Sequence, residues 1–192
     1  GIFLAFMASA VSCMLITPAL SSSRSLPILI AGFMIFLFGI IDDIADVKAI
    51  FKLLIQLVAT TIVVANGFRF RQIFGWTMPI PFAMVLTFGW ILGIINAYNL
   101  IDGLDGLCGM LSFTALLTIG FVLRHSFYEG TIICLILAAA ILGFLLYNWP
   151  TPNAKIFMGD GGSQFLGFMV ATIPLYSSAT EFEFNKFEMM LV

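Results

Sequence analysis

Seven apolar runs occupy most of this chain and leave little that could fold in water. They cover about 2–20, 27–41, 48–66, 82–98, 107–123, 130–148 and 164–178. Runs approaching 20 apolar residues are long enough, as helices, to cross the hydrocarbon core of a bilayer. Backbone polar groups in lipid must be satisfied within the protein, and the alternating pattern of a barrel is missing, so the runs are expected to be helices. The charged fraction of 9% agrees, lying far below the roughly 25% of a soluble domain. The expected fold is all-α: a polytopic membrane helical bundle of about seven transmembrane helices, forming one catalytic domain over 1–192. The expected solvent is the lipid bilayer. A net charge of −2 offers a nucleic acid nothing to bind, and no such partner is expected.

Local punctuation sets the connections. Ser21–Ser25 is turn-prone, and Pro27 suits the first turn of the second helix. Gly67 closes the third run. Phe68–Pro81, with Arg69, Arg71, Trp76, Pro79 and Pro81, predicts an interfacial loop with an aromatic anchor. Cys13, Cys108 and Cys134 lack any paired spacing and read as small apolar filler. The first run lacks the basic flank of a signal peptide, and Met190-Leu191-Val192 reads as the approach to another span, so the chain is expected to be an internal piece of a longer protein.

Three acidic clusters break this apolar background: Asp42-Asp43-Ile44-Ala45-Asp46, the stretch Asn96–Gly106, and Phe157–Ser163. Each lies at the end of a run, and two runs separate each cluster from the next. A chain crossing at every run brings Asp42, Asp43, Asp46, Asp102, Asp105 and Asp160 to one membrane face, together with Lys48, Lys52 and Lys155. Glu129, Glu181, Glu183 and Glu188 fall on the opposite face with Arg24, Arg69, Arg71, Arg124, His125 and Lys186. By the positive-inside rule alone, the acidic face would lie outside.

Carboxylates crowded at a membrane surface repel one another unless a cation relieves them. The oxygen-rich set of Asp and Asn suits Mg²⁺, with Mn²⁺ as a substitute, whereas zinc would favour Cys and His. Asp42 or Asp43 stands three or four residues from Asp46, so two carboxylates can share a helix face. Asn96, Asn99, Asp102 and Asp105 recur every three residues, and Gly103 and Gly106 let the backbone turn or approach a ligand. Gly161-Gly162-Ser163 after Asp160 leads into a helix expected from about Gln164, and its N–H groups could hold phosphate. Phe157 is either an interfacial anchor or a stacking platform for a base. Lys52 and Lys155 could pair with phosphate, and His125 reads as a loop residue.

The stretches Asn96-Ala97-Tyr98-Asn99-Leu100-Ile101-Asp102-Gly103-Leu104-Asp105-Gly106-Leu107 and Lys155-Ile156-Phe157-Met158-Gly159-Asp160 resemble the polyprenyl-phosphate N-acetylhexosamine-1-phosphate transferase family. Its members include undecaprenyl-phosphate GlcNAc-1-phosphate transferases and phospho-MurNAc-pentapeptide translocase. The resemblance implies transfer of an amino sugar 1-phosphate from a UDP-N-acetylhexosamine to polyprenyl phosphate, with release of UMP, for cell-envelope polysaccharide. It also implies Mg²⁺ at the diphosphate, a cytoplasmic active face in the inner (plasma) membrane, and a His-bearing loop beyond this chain. A homodimer is compatible with it.

On the same resemblance, Asp160 matches the metal-binding aspartate and Asn99 a co-ligand. Asp42, Asp43 and Asp102 match catalytic acidic positions, while Asp105 and Phe157 match contacts to uracil. Lys52 and Asn96 are further substrate-binding candidates. Gly39-Ile40-Ile41-Asp42-Asp43, Lys52-Leu53-Leu54-Ile55-Gln56 and Ile101 resemble the GlcNAc type more than the MurNAc-pentapeptide branch, which is the alternative. A carboxylate-lined cation transporter, the remoter alternative, would place its acids mid-span rather than at span ends.

Overall fold

The computed structural model describes residues 2–16, 25–45, 47–73, 76–124, 128–149 and 154–176. They form α1 (Ile2–Ile16), α2 (Ser25–Ala45), α3 (Ala49–Ala65), α4 (Ile80–Ile101), α5 (Leu107–Leu123), α6 (Tyr128–Asn148) and α7 (Gly159–Tyr176). Each expected run is helical over its described residues. By length and composition α2, α4 and α6 are long and apolar enough to cross a membrane, while α1, α3 and α5 are shorter apolar helices. Large apolar side chains such as Leu100, Ile44 and Leu146, each more than 80% or about 80% exposed, point outward, as a lipid-facing surface allows. Ser21–Arg24, Asp46, His125, Glu181, Glu183, Lys186 and Glu188 lie outside the described residues.

Three helix ends depart from expectation. The second helix continues past Ile41 to Ala45, so Asp42 and Asp43 project from helix rather than from a frayed end. The fourth continues to Ile101. The last begins at Gly159, not near Gln164, which places Asp160 in its first turn. The loop after α3 holds a short antiparallel hairpin, β1 (Gln72–Ile73) with β2 (Trp76–Thr77). That loop also tucks in Phe68 and Phe70, and the Phe70 N–H donates to Thr87 Oγ1 at 3.1 Å. Gly67 ends α3 as expected, with φ 94 and its N–H donating to Val64 O at 3.0 Å.

The centre of the bundle is α7. It packs against α2 on one side and α4 on the other, and Phe165, Leu166, Phe168, Met169, Ala171, Ile173 and Leu175 are all buried. Apolar helices in lipid gain little from the hydrophobic effect, so close packing has to hold them, and small residues permit it. A Cβ on Gly39 of α2 would stand 2.3 Å from the Gly161 Cα of α7. A Cβ on Gly167 would stand 2.9 Å from the Ile95 Cα of α4. Next to the first crossing, Phe3 of α1 stacks on Phe36 of α2 at 3.7 Å and meets Phe165 of α7 edge-on at 5.1 Å. The glycine crossing of α2 and α7 brings the first acidic cluster onto the third.

Candidate active site

The ends of α2 and α4 and the starts of α3 and α7 meet at one end of the bundle, and their polar side chains converge there. Asp42 is buried; its Oδ1 accepts the Val47 N–H at 3.0 Å, and its Oδ2 pairs with the Lys52 ammonium. Lys52 Nζ also reaches Asp160 Oδ2 at 3.1 Å. The ammonium thus bridges an acid on α2 and an acid on α7. Asn99 on α4 donates to Ser163 Oγ at 3.2 Å and bonds the Asp160 carboxylate, so α4 joins the same group.

Asp43 turns away from its neighbour and caps α7 from a different helix. Its Oδ1 accepts the Asp160 N–H at 2.8 Å and its Oδ2 the Gly161 N–H at 3.5 Å. A carboxylate is favoured at a helix N-terminus, where unpaired N–H groups and the helix dipole present positive charge. Gly159 makes the approach possible: its φ is +72, and a Cβ there would stand 2.7 Å from Asp43 Oδ2. Of the Gly161-Gly162-Ser163 N–H groups that could hold phosphate, that of Gly161 is taken by Asp43.

Asp102 caps the C-terminus of α4, its N–H donating to Tyr98 O at 3.2 Å. Burial pushes its carboxyl up to about 6, the nearby charges of Asp160, Asp43 and Asp105 add to this, and the Gly159 N–H opposes it. The folded protein therefore takes up a proton there between the ordinary value of 3.8 and about 6, and the stability of the protonated form is lost as pH rises through that window. In metal-free protein, Asp102→Asn raises thermal stability at pH 8 by about 1–2 kcal/mol, allowing for solvent screening of a half-buried group. The gain disappears near pH 4. Melting curves at the two pH values check this, and a variant less stable at pH 8 would contradict it.

The remaining predicted residues stand apart from this group. Asp105 is exposed in the turn between α4 and α5 and lines a cavity of about 360 Å³ with Leu104, Gly106, Leu107, Met110 and Trp149. Phe157 is 78% exposed on the segment entering α7 and is not part of that lining. Asn96 faces α3, donating to Gln56 Oε1 at 2.9 Å and to Leu92 O at 2.7 Å.

One structuring residue had not been singled out from the sequence. Buried Asn148, at the end of α6, accepts the Gly106 N–H at 2.8 Å and donates to Ile156 O at 2.8 Å. It ties the turn bearing Asp105 to the segment bearing Phe157. A polar amide closing an apolar run was the available signal, since such a group is costly in lipid unless paired.

The donor set suits a hard divalent cation. Carboxylate and amide groups meet here, whereas Cys108 and Cys134 are buried in apolar packing. Among the described residues no three acidic, thiol or imidazole groups form a closed metal cage. Mg²⁺ needs none, because it binds through one or two carboxylates with water and substrate phosphates. Asp160 with Asn99 or Asp42 meets that need, and the Lys52 ammonium between the two carboxylates marks a place that accepts positive charge.

A model of glycosyl transferase family 4 matches residues 25–178, which hold every one of these groups. The chain belongs to glycosyl transferase family 4. Among relatives in the family, the probable undecaprenyl-phosphate N-acetylglucosaminyl 1-phosphate transferase of Bacillus subtilis is 39% identical over 194 residues, 93% of this chain and 52% of that protein. The decaprenyl-phosphate N-acetylglucosaminephosphotransferase of Mycobacterium tuberculosis is 35% identical over 160 residues, 75% of this chain and 39% of that protein. The undecaprenyl-phosphate alpha-N-acetylglucosaminyl 1-phosphate transferase of Escherichia coli is 34% identical over 163 residues, 79% of this chain and 43% of that protein. The chain thus spans about half the length, or less, of the family 4 relatives it matches.

Proposed function

We propose that the protein transfers N-acetylglucosamine 1-phosphate from UDP-GlcNAc to a polyprenyl phosphate at the membrane. The observation that carries this reading is the meeting of Asp42, Asp43, Lys52, Asn99, Asp102 and Asp160 at one end of an apolar bundle of this family. The names of the three relatives given above, each an N-acetylglucosamine-phosphate transferase, support the choice of sugar.

In the balanced reaction an oxygen of the lipid phosphate attacks the sugar-linked phosphorus. The P–O bond to the bridging oxygen breaks, and UMP leaves with that oxygen. Both substrates are anionic, so carboxylates alone would repel them. Mg²⁺, when bound at Asp160 with Asn99, supplies the charge that offsets the diphosphate. Lys52 contributes a second cation. Asp42 and Asp43, near the C-terminal end of α2, orient the acceptor phosphate or take its proton. Asp102, with its raised carboxyl, carries a proton more readily than an ordinary aspartate near neutral pH. Asp105 in its cavity, and the exposed Phe157 ring, are the groups offered to the uracil. The acidic face is then cytoplasmic, where UDP-sugars are made, and the enclosing membrane the plasma membrane.

Assay of the whole protein with polyprenyl phosphate tests the sugar. Release of UMP from UDP-GlcNAc is expected to exceed that from UDP-MurNAc-pentapeptide by at least about 100-fold, a discrimination within reach even of a pocket that selects by shape alone. The reverse preference would assign the MurNAc-pentapeptide reaction instead.

A further inference from the structure

A second set of polar side chains lies one helical turn below the charged group and has no part in the proposed chemistry. Gln56 on α3 is four residues after Lys52, and Gln164 on α7 is four after Asp160. Four residues on a helix return to the same face. Gln56 Nε2 donates to Gln164 Oε1 at 3.2 Å, repeating one turn deeper the bridge that Lys52 makes to Asp160 at 3.1 Å. Both amides are buried, 2% and 3% exposed. The far side of Gln56 accepts from Asn96 of α4 at 2.9 Å. Two rungs, one charged and one neutral, therefore span α3 and α7. Those helices pack mainly on α2 and α4 rather than on each other, so long side chains are what link them.

The two rungs differ in permanence. On the reading of the site given above, Asp160 must exchange the Lys52 ammonium for a metal ion and a diphosphate, and the upper rung opens in every catalytic cycle. A neutral amide pair does not respond to metal or pH. Nor is the lower rung well designed for stability, because Gln164 Nε2 and the nearby Thr60 Oγ1 are buried without a hydrogen-bond partner. An orphaned buried donor offsets what the neighbouring bond contributes.

We propose that Gln56 and Gln164 are positioning residues: a neutral rung that holds α3 at a fixed distance from α7, so that Lys52 stays at the site while its own bond to Asp160 is open. This inference rests on the assignment of Asp160 to the metal. Without the rung, α3 relaxes away, Lys52 competes less for Asp160, and a metal ion binds more tightly but less productively.

Mn²⁺ binding to the whole protein in detergent, followed by electron paramagnetic resonance without nucleotide, reads this directly. Gln56→Leu and Gln164→Leu each tighten Mn²⁺ binding about threefold or more, by loss of a competing cation. Each also lowers kcat for UMP release about tenfold through misplacement of Lys52, with little change in KM for the UDP-sugar. The double variant is no worse than either single one, since both break the same bond. Melting temperatures stay level or rise, and Gln164→Met serves if a leucine variant does not fold. Lys52→Met separates the two ideas. If it tightens Mn²⁺ binding while the glutamine variants match wild type in affinity and kcat, the rung is overturned and the site reading stands. If Lys52→Met and Asp160→Asn both leave Mn²⁺ binding unaltered, the metal assignment falls and this proposal with it.

Discussion

Asp160→Ala lowers UMP release from UDP-GlcNAc by about 10³-fold or more, the scale of losing a charged group that acts on the reacting phosphates, while the protein still folds. The two effects separate because the side chain and the backbone of this residue do different work. The carboxylate meets Lys52 and Asn99 and is the candidate metal ligand. The backbone N–H is what Asp43 holds, and alanine keeps it. Alanine also suits the first turn of α7, and removal of a charge relieves the repulsion felt by Asp102. Kinetics and a melting curve on the same preparation check both halves. Turnover within about tenfold of wild type, with Mg²⁺ still required, would move the metal to another group.

Gly39→Ala, a change of one methyl group that removes no charged side chain, lowers the same rate about 100-fold, the size of effect expected from displacing reacting groups by about 1 Å. The added Cβ would lie 2.3 Å from the Gly161 Cα, 2.6 Å from its N and 3.0 Å from the Asp160 carbonyl carbon. All three are backbone atoms, so no side chain can rotate out of the way, and α2 must move off α7. That motion breaks the 2.8 Å bond from the Asp160 N–H to Asp43 and withdraws Asp42 from Lys52. The stability cost is about 1–3 kcal/mol, as for other overpacked cores. Gly89→Ala and Gly93→Ala on α4 are the controls, because an added Cβ there meets nothing within 4 Å. They leave the rate unchanged and stabilise the helix by up to about 1 kcal/mol. If Gly39→Ala behaves like these controls, the α2–α7 crossing is not what sets the site.

Much of this arrangement is legible in the sequence. Apolar run length located seven helices, because in lipid few other backbone structures are tolerated. The parity of the runs then placed Asp42, Asp43, Asn99, Asp102 and Asp160 at one end of the bundle. What could not be read was which helix lies at the centre. A helix buried all round and one facing lipid all round are both apolar on every side, and no amphipathic stripe tells them apart. The start of α7 was misplaced for a different reason. Gly159, Gly161 and Gly162 are poor helix formers, and the cap that secures them is Asp43, 116 or more positions earlier in the chain and invisible to local pattern. Asn148, Gln56 and Gln164 were hidden by their neutrality, although polar amides in or beside apolar runs are themselves a signal that partners await them. Phe157 and Asp105 were placed together on the strength of resemblance. The structure leaves the exposed ring outside the cavity that Asp105 lines.

The central position of α7 also bears on how such a protein is made. In chain order α7 follows the other six described helices, yet α2 and α4 close upon it and not upon each other. During synthesis those earlier helices reach the bilayer first. The glycine-bearing face of α2 and the acids at the ends of both helices then wait for a core that has not yet left the ribosome. A nascent chain halted before Gly159 would hold Asp42, Asp43, Asn99 and Asp102 without the helix that gathers them. The gathering of these acids therefore comes in one late step of membrane insertion rather than helix by helix.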